Sequence, residues 1–456
     1  MSAWRPTIVT NGKPHYVAIA DAIADGVRSG VLSAGERLPP QRKLAEHLGI
    51  DFTTVSRGYA EAQARGLIDS HVGRGTFVLG AEANIESPDK ARETQEDLAM
   101  NMPPEPNDPA LIASMRNGLD YVSANLIPLL RYQATLGADK DKQAASTWLA
   151  LRGLNPKADC IAVTPGAHPT MTAILSMIAR PGDTVLSERV TYPGIRSIAA
   201  RFGIRLKGLD IDAEGILPDA LENAIKQDRP KALYLNPTLQ NPTTLTMSSK
   251  RRLAVAQVLR KFGLPLIEDD AYGFIPAKAP TPIAAMVPEL TWHIGGLAKC
   301  IGAGLRLAYT VTPSPRDTYA LAESLRAIVG MPSPVSMALA TRWIEDGTAD
   351  RIRCFIRSES AERQKMASKF LEGFEYVSAE NAFNIWLPLP DGAARAEIIA
   401  RMAGRHIGII PSDAFTVTGP PDEYVRVCLG GSIQRENLRA GLQFLSHALS
   451  QNTPRG

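Results

Sequence analysis

The chain has 456 residues and a formal net charge of +3 at pH 7, with 45% hydrophobic and 21% charged residues. This length predicts two or more globular domains, and the small net charge means that any surface for nucleic acid must be local. No apolar run is long enough to cross a membrane, the N-terminus lacks the apolar core of a signal peptide, and the four cysteines are far apart. We therefore expect a cytoplasmic protein without a membrane span, a disulfide framework or a zinc site.

The first 80 residues predict three helices followed by a β-hairpin. Apolar residues at helical spacing predict the first helix over residues 16–27, and a second helix begins close to Pro40. Asp51 is a plausible N-cap for a third helix, and residues 67–78 predict the hairpin, with glycines at its tip. This order of elements is typical of a winged helix-turn-helix.

In a winged helix, side chains near the start of the third helix reach base edges and phosphates, and the tip of the wing approaches the DNA backbone. The candidate DNA-binding residues are Arg37, Arg42, Lys43, Thr53, Thr54, Ser56, Arg57 and Arg74. Residues 1–80 hold nine Lys and Arg against seven Asp and Glu, so these basic side chains must share one face to bind double-stranded DNA. An ordinary three-helix module with solvated arginines is the alternative.

Three motifs in this segment resemble the GntR-type winged helix, in the same order and at similar spacing. They run from Gly35 to Ala45, from Thr53 to Arg57 and from Gly73 to Val78. The resemblance implies a DNA-binding domain over residues 1–80. Residues 81–96 are polar with little periodicity, which predicts a linker or, alternatively, an irregular helix packed on the next domain. That domain is predicted to cover residues 97–456.

From about residue 150, short apolar runs alternate with helical stretches, which predicts an α/β domain with a mostly parallel sheet. The predicted strands are residues 161–164, 184–187, 232–235, 264–267 and 307–311. Helices are predicted over residues 169–179 and 248–262, among others. In such sheets the ligand site lies at the C-terminal ends of the strands, where most of the candidate motifs fall.

The first two candidates follow predicted strands. Gly166, Ala167 and His168 form a glycine turn before a helix, whose N-terminal N–H groups can bind an anion. Tyr192 follows the next strand and could stack on a flat cofactor ring. A purely structural turn and ordinary loop packing are the respective alternatives.

The remaining candidates suit an aromatic aldehyde that carries a phosphate. Asn241 and Tyr272 could hydrogen-bond a phenolic oxygen, and Asp269 could keep a pyridine nitrogen protonated. Lys299, if desolvated, could condense with an aldehyde, and Arg306 could hold a phosphate. Each residue alone could belong to a turn, an acidic loop or a solvated surface, so their order and spacing carry the argument.

Taken in order, these residues resemble the cofactor site of the fold-type I aminotransferases of class I/II, from near residue 98 to the C-terminus. The resemblance implies pyridoxal 5'-phosphate (PLP) bound to Lys299 as an aldimine, with Asp269 at the ring nitrogen and Asn241 and Tyr272 at the phenolic oxygen. It also implies that Arg426 binds an α-carboxylate. As an isolated strand residue, this arginine could instead form a surface ion pair.

Two positions depart from the pattern of that family. Gly296 stands three residues before the lysine, where the family often has a serine that binds the phosphate. His168 stands where glutamine or a hydroxyl residue is frequent. Both departures concern the phosphate contacts and neither affects the lysine.

A GntR-type winged helix joined by a linker to an aminotransferase-like domain resembles the MocR-like (GabR-type) regulators. The resemblance implies a homodimer with PLP at the subunit interface. We expect a transcriptional regulator that binds a DNA operator and senses an amine or amino-acid effector through aldimine exchange at Lys299. A working aminotransferase with an accessory DNA-binding domain and a DNA-binding scaffold with an empty pocket are the alternatives, so the sequence leaves weak transamination open.

Overall fold

The computed structural model describes Trp4, Pro6, Ile8 and residues 14–29, 31–33, 35–71, 75–79 and 100–451. The chain divides into two compact units, residues 1–96 and 97–456. The linker predicted for residues 81–96 lies outside the described residues. Within the described ranges, no helix combines the length and the apolar sequence needed to cross a membrane.

The first unit has the predicted three helices and hairpin. Its elements are α1 (His15–Arg28), α2 (Gln41–Leu48), α3 (Phe52–Ala64), β1 (Ile68–His71) and β2 (Gly75–Val78). β1 and β2 pair antiparallel, and an isolated bridge joins Arg37 to Phe77 at the outer edge of β2. The winged helix-turn-helix prediction is confirmed.

Local sequence explains how the helices of this unit begin and end. Asp51 caps α3 by accepting a hydrogen bond from the main-chain N–H of Thr53 at 2.7 Å. Gly49 ends α2 with φ at 64°, a left-handed conformation that glycine adopts without strain. Ile19 of α1 and Val55 of α3 are fully buried in the shared core, which fixes the face that each helix turns outward.

The second unit contains the remaining strands. In chain order they are β3 (Ile161–Thr164), β4 (Thr184–Glu188), β5 (Arg205–Leu209), β6 (Ile211–Asp212), β7 (Gly215–Ile216), β8 (Ala232–Leu235), β9 (Leu266–Asp269), β10 (Thr291–Gly296), β11 (Ala308–Val311), β12 (Asn384–Pro388), β13 (Ile409–Pro411) and β14 (Tyr424–Cys428). Seven of these strands form the main sheet in the order β3-β11-β10-β9-β8-β4-β5. β11 runs antiparallel to both neighbours and the other pairs are parallel, so the mostly parallel sheet is confirmed.

Helices of the second unit cover both faces of this sheet, and the last of them pack on a smaller sheet. They are α4 (Pro109–Ala124), α5 (Leu126–Leu129), α6 (Asp139–Ala150), α7 (Ala167–Ile178), α8 (Pro193–Arg201), α9 (Pro218–Asp228), α10 (Ser249–Phe262), α11 (Pro315–Ile328), α12 (Pro334–Glu345), α13 (Thr348–Phe370), α14 (Arg395–Met402) and α15 (Arg435–Ser450). Leu233 and Leu235 of β8 pack with apolar residues of α9 and α10, whereas Tyr234 packs in the cluster that contains residues of α7 and α8. This alternation along β8 shows that the strand is buried on both sides.

A smaller antiparallel sheet, in the order β12-β14-β13, packs against α13, α14 and α15. Val425 and Val427 of β14 lie fully buried in this packing. Because side chains alternate along a strand, Arg426 between them faces the other side of the sheet. The small sheet therefore holds this arginine in place by packing its two neighbours.

The predicted strands agree with the structure to within two residues at either end. β9 spans Leu266–Asp269 rather than residues 264–267, and α7 begins at Ala167 rather than at residue 169. Two strands of the main sheet were not predicted: β5, at its edge, and β10, which lies inside the sheet and leads directly to Lys299.

Candidate cofactor site and DNA-binding surface

The candidate cofactor residues lie at one edge of the main sheet. Asp269 is the last residue of β9, and Lys299 lies in a single 3-10 turn directly after β10. Gly166 and Tyr192 follow β3 and β4 in the same way. Because these strands point in one direction, their C-terminal ends bring distant segments together.

Asp269 is a buried carboxylate with a tyrosine partner. Its Oδ2 accepts a hydrogen bond from the hydroxyl of Tyr234 at 2.9 Å. Burial raises the pKa of Asp269 to about 6, although the hydrogen bond from Tyr234 and the charge of Lys299 act in the opposite direction. A cation placed beside this carboxylate would therefore stabilise its ionised form.

Lys299 is a partly buried amine whose Nζ donates a hydrogen bond to the main-chain oxygen of Asn101. Burial, together with the positive charge of Arg426, lowers the pKa of Lys299 to about 8. A lysine with such a pKa has a substantial neutral fraction near neutral pH, and the neutral amine is the form that attacks an aldehyde.

Arg426 sits in the middle strand of the small sheet, opposite Trp386 of β12 and Ile410 of β13. Its Nη1 donates to the side-chain oxygen of Asn241 at 2.9 Å, and its Cζ lies 4.9 Å from the ring centroid of Phe415. The arginine is only 5% exposed. This burial excludes the alternative of a surface ion pair and places a cation next to Asn241.

The glycine turn and Arg306 meet at the start of α7. Gly166 caps this helix with φ at 97°, a conformation that favours glycine. A Cβ at Gly166 would lie 3.6 Å from the carbonyl carbon of Arg306 and 3.8 Å from its Nη2, so the two residues are adjacent. Burial and the charge of Arg306 lower the pKa of His168. The N-terminus of α7, the guanidinium of Arg306 and the imidazole of His168 are therefore neighbours, an arrangement that suits an anion.

The departure at Gly296 is chemical rather than steric. A Cβ at this position would lie 3.7 Å from the Cβ of Ala167, which is ordinary van der Waals contact. The backbone of Gly296 has φ −71° and ψ 132°, which any residue can adopt. A serine would therefore fit here, beside the turn that begins α7.

Tyr192 lies between the two ends of the site. Burial raises its pKa, the charge of Asp269 acts in the same direction and that of Arg306 opposes it. The tyrosine ring packs so tightly over Gly194 that any Cβ there would collide with it. Gly194 therefore permits the ring position, which suits stacking on a flat ligand.

Several residues that contact this site were missed by the sequence analysis. Asn236 links the candidate motifs, since its Nδ2 donates to the main-chain oxygen of Asp269 at 2.7 Å and its Oδ1 accepts from the N–H of Asn241 at 2.8 Å. Glu188 accepts from the N–H of Asn236 at 3.0 Å, and burial raises the pKa of Glu188 to about 7. Asn236 lies five residues before the marked Asn241, whereas Glu188 ends a buried strand and gave no signal.

In the winged helix, the candidate DNA-binding side chains point outward. Thr54 and Ser56 are half-buried, and the exposed candidates are Arg37, Arg42, Lys43, Thr53 and Arg57. The Cζ of Arg57 lies 4.3 Å from the ring centroid of Tyr16, and that of Arg42 lies 5.9 Å from the ring centroid of Phe52. Arg74, at the predicted tip of the wing, lies outside the described residues.

Residues 94–445 match the family model of aminotransferase class I and II, and residues 15–78 match that of the bacterial regulatory proteins, gntR family. The fold class is therefore a winged helix-turn-helix followed by an α/β PLP-dependent fold-type I domain, as predicted. A protein of this class is a DNA-binding regulator with an aminotransferase-like domain. The chain belongs to the aminotransferase class I and II family and, through its gntR-family segment, to the MocR-like transcriptional regulators within it.

Relatives share both units. The HTH-type transcriptional regulator YdeF of Bacillus subtilis is 28% identical over 458 residues, which cover 99% of this chain and 98% of YdeF. The vitamin B6 salvage pathway transcriptional repressor PtsJ of Salmonella typhimurium is 25% identical over 417 residues, covering 88% of this chain and 91% of PtsJ. The crystal structure of LysN, an α-aminoadipate aminotransferase of Thermus thermophilus complexed with N-(5'-phosphopyridoxyl)-L-leucine, has a TM-score of 0.69 at 21% identity and covers 78% of this chain and 92% of LysN.

Family and fold indicate pyridoxal 5'-phosphate as the cofactor, which confirms the prediction. The residues present fit this molecule. The carboxyl of Asp269, with its raised pKa, suits a protonated pyridine nitrogen, and the amine of Lys299 suits an aldehyde. The turn at Gly166 with Arg306 suits a phosphate. The individual role of each residue stays a prediction.

Proposed function

We propose that this regulator senses a primary amine or amino acid at the cofactor site and adjusts how its winged helix binds operator DNA. One observation carries the proposal: an amine with a lowered pKa, Lys299, lies close enough to the buried Arg426 for the two charges to interact. This pairing suits a ligand with both an amino group and a carboxylate. It occurs in a chain whose relatives over nearly the whole length are transcriptional regulators.

PLP supplies, when bound, an aldehyde carbon that condenses with primary amines and can exchange one amine for another. Lys299 provides the amine of the resting protein, and Asp269 neutralises the ring nitrogen's charge. Asn241 and Tyr272 bind the phenolic oxygen, and Tyr192 covers the ring. The phosphate is assigned to Gly166, Ala167, His168 and Arg306.

An amino-acid effector would compete with Lys299 through its amino group, and its carboxylate would bind Arg426. The guanidinium of Arg426 already donates a hydrogen bond to Asn241, so a carboxylate that binds Arg426 would also affect Asn241. If the effector makes these contacts in one conformation of the protein and not in another, its binding increases the population of the first conformation. The resulting change in the operator affinity of the winged helix measures the coupling between the effector site and the DNA-binding site.

We further propose a homodimer, in which two winged helices read two half-sites of the operator. Apolar side chains that follow α4 support it. Ile127 is 68% exposed, Leu130 67% and Tyr132 97%, and Leu119 and Leu126 are exposed nearby. Monomeric proteins rarely leave so many large apolar groups together in water, so this surface suits a partner subunit.

Borohydride trapping tests the sensing proposal directly. Reduction of the pure protein with PLP should attach a pyridoxyl group to Lys299, detected by peptide mass spectrometry. Lys299→Ala should abolish the label, the visible absorbance and the response of DNA binding to an amine panel, whereas Lys278→Ala, at an exposed lysine, should change none of them. Absence of the label on wild-type Lys299 would contradict the proposal.

A working aminotransferase is the second candidate, because the structure brings Lys299, Asp269 and Arg426 together as an amino-acid reaction would require. Steady-state release of a keto acid from an amino acid distinguishes the two functions. A regulator should change its operator affinity on adding the amino acid without continuous product release. Multiple turnovers with unchanged DNA binding would favour the enzyme.

A further inference from the structure

Asn101 is a buried polar residue at the start of the described part of the second unit, only 4% exposed. Its side-chain Nδ2 donates hydrogen bonds to the Oδ1 of Asn384 at 3.0 Å and to the hydroxyl oxygen of Tyr272 at 3.1 Å. Its main-chain oxygen accepts from the Nζ of Lys299. One residue therefore contacts both a proposed ligand of the phenolic oxygen and the proposed anchor lysine.

The orientation of this amide is fixed by its surroundings. The Nδ2 of Asn384 donates to the main-chain oxygen of Pro242 at 2.8 Å, and a carbonyl can only accept. Asn384 must therefore turn its Oδ1 toward Asn101, and Asn101 must present its Nδ2. A flipped Asn101 would bring its Oδ1 against the Oδ1 of Asn384 and lose the hydrogen bond between the two amides.

This fixed orientation determines what Tyr272 can do. Its hydroxyl oxygen already accepts from Asn101, so its hydrogen is free to be donated to another acceptor. Burial raises the pKa of Tyr272, which keeps that hydrogen in place at neutral pH. The Oδ1 of Asn101 has no hydrogen-bond partner among the described residues, so the contacts of its side chain are made by the donor end.

The main-chain contact lies on a segment that is held from two sides. The main-chain oxygen of Pro103 accepts from the N–H of Gly431 at 3.1 Å, and the main chain of Met102 lies so close to Gly430 that a Cβ there would collide with it. On the other side, Asn101 is held by Lys299. Toward the N-terminus, this segment continues into the residues that join it to the winged helix.

We propose that Asn101 is a positioning residue of the cofactor site: its side chain sets Tyr272 as a hydrogen-bond donor, and its carbonyl ties the segment that leads to the winged helix to the amine of Lys299. The proposal rests on the function proposed above and adds a residue that positions two groups of its site. When the amine of Lys299 is bonded to another group, it has fewer N–H protons to donate. Its hydrogen bond to the main-chain oxygen of Asn101 therefore depends on what else the amine is bonded to.

A double-mutant cycle tests the side-chain half. Asn101→Leu removes the donor at similar volume, and Tyr272→Phe removes the hydroxyl. We expect each to weaken PLP binding about fivefold, as for one neutral hydrogen bond, and the double variant to be no weaker than Tyr272→Phe. The pH midpoint of the absorbance of the bound cofactor should shift in Asn101→Leu and not shift further in the double variant. Additive losses, or unchanged binding in Asn101→Leu, would overturn the proposal.

Two further variants keep the test independent of folding. Asn101→Asp preserves the shape and replaces the donor with an acceptor, so the hydroxyl of Tyr272 should turn toward it and the midpoint should again shift. Asn223→Leu makes the same change as Asn101→Leu at an exposed asparagine of α9 and should have no effect on either measurement. A shift in Asn223→Leu, or none in Asn101→Asp, counts against the assignment.

Hydrogen–deuterium exchange tests the main-chain half in the full-length protein. Lys299→Met removes the donor while keeping an unbranched side chain, and we expect faster amide exchange around residues 100–102, with Lys278→Met as the matched control. Unchanged exchange would overturn this half. Borohydride labelling of wild-type Lys299 distinguishes failure of this proposal from failure of the proposed function. If Lys299 is labelled but the double-mutant cycle gives additive losses, only the role of Asn101 is contradicted. If Lys299 is not labelled, the sensing function itself is contradicted.

Discussion

Arg57 in the winged helix and Arg426 in the small sheet are both proposed ligand-binding arginines, yet their surroundings are opposite. Arg57 is exposed and lies over the ring of Tyr16, whereas Arg426 is buried and donates to Asn241. An exposed cation acts through a field that salt screens, and a buried cation depends on its particular partners. The same side chain therefore suits a polyanion of variable sequence in one place and a single carboxylate in the other.

The largest effect is expected at the buried arginine. Arg426→Met should reduce the preference for an α-amino acid over the amine that lacks its carboxylate about 100-fold, since a charge-assisted hydrogen bond contributes up to ~3 kcal/mol. Removing the positive charge should also raise the pKa of Lys299 toward its ordinary value. Spectral titration of the bound cofactor with both ligands measures the preference. An unchanged preference would contradict the comparison. Arg426→Lys should have a preference between those of the wild type and Arg426→Met.

Asp269 is a second buried ionisable group, and its effect on the stability of the cofactor-free protein can be compared with that of the buried arginine. Its folded pKa of about 6 lies above the ordinary 3.8, so the folded cofactor-free protein binds more protons than the unfolded chain between these values. Its contribution to stability is therefore lost as pH rises from about 4 to about 6. Asp269→Asn should flatten this decline by ~2 kcal/mol, measured by denaturant unfolding at both pH values. An equally steep decline in the variant would contradict the assignment.

For the exposed arginine we expect a smaller loss and a salt signature. Arg57→Ala should weaken operator binding about tenfold and reduce the slope of log affinity against log salt by about 1, without changing the unfolding free energy. Titration of a labelled operator at several salt concentrations measures both. Arg74→Ala is predicted to act similarly, and Lys278→Ala should leave the affinity unchanged. Unaltered binding in both arginine variants would remove the assigned DNA surface.

The smallest effect concerns the phosphate end of the cofactor site. Gly296→Ser places a hydroxyl where space and backbone conformation allow it. PLP should therefore bind about fivefold more tightly, which corresponds to a gain of ~1 kcal/mol in binding free energy. Gly296→Ala separates the hydroxyl from the methylene group and should leave the affinity near that of the wild type. Equilibrium dialysis measures the difference. Weaker binding of the serine variant would place the phosphate elsewhere.

Sequence patterns predicted five of the seven strands of the main sheet and most of the motifs that follow them, because apolar runs and glycine or proline turns are local signals. β10 escaped because it carries the polar His293 although fully buried. The structure explains this residue, since its ring nitrogen lies 3.2 Å from Asp270, which in turn pairs with Arg152 at 2.7 Å. A buried ionic cluster therefore broke the apolar pattern of a central strand.

The candidate site shows the same limit. Residues with a family motif, such as Lys299 and Arg306, could be named in advance, whereas Asn101 could not. Its side-chain partners are 171 and 283 residues away, so no local spacing marks it. Neither periodicity nor composition reveals a hydrogen bond between segments that only the folded sheet brings together.

The contact between Asn241 and Arg426 joins positions 185 residues apart. A ribosome-bound chain that has not yet released β14 lacks this arginine, and it also lacks the edge against which Pro103 is held. PLP can therefore meet its full set of contacts only after β14 has been synthesised. The winged helix, which lies far earlier in the chain, is complete before the site that we propose to regulate it.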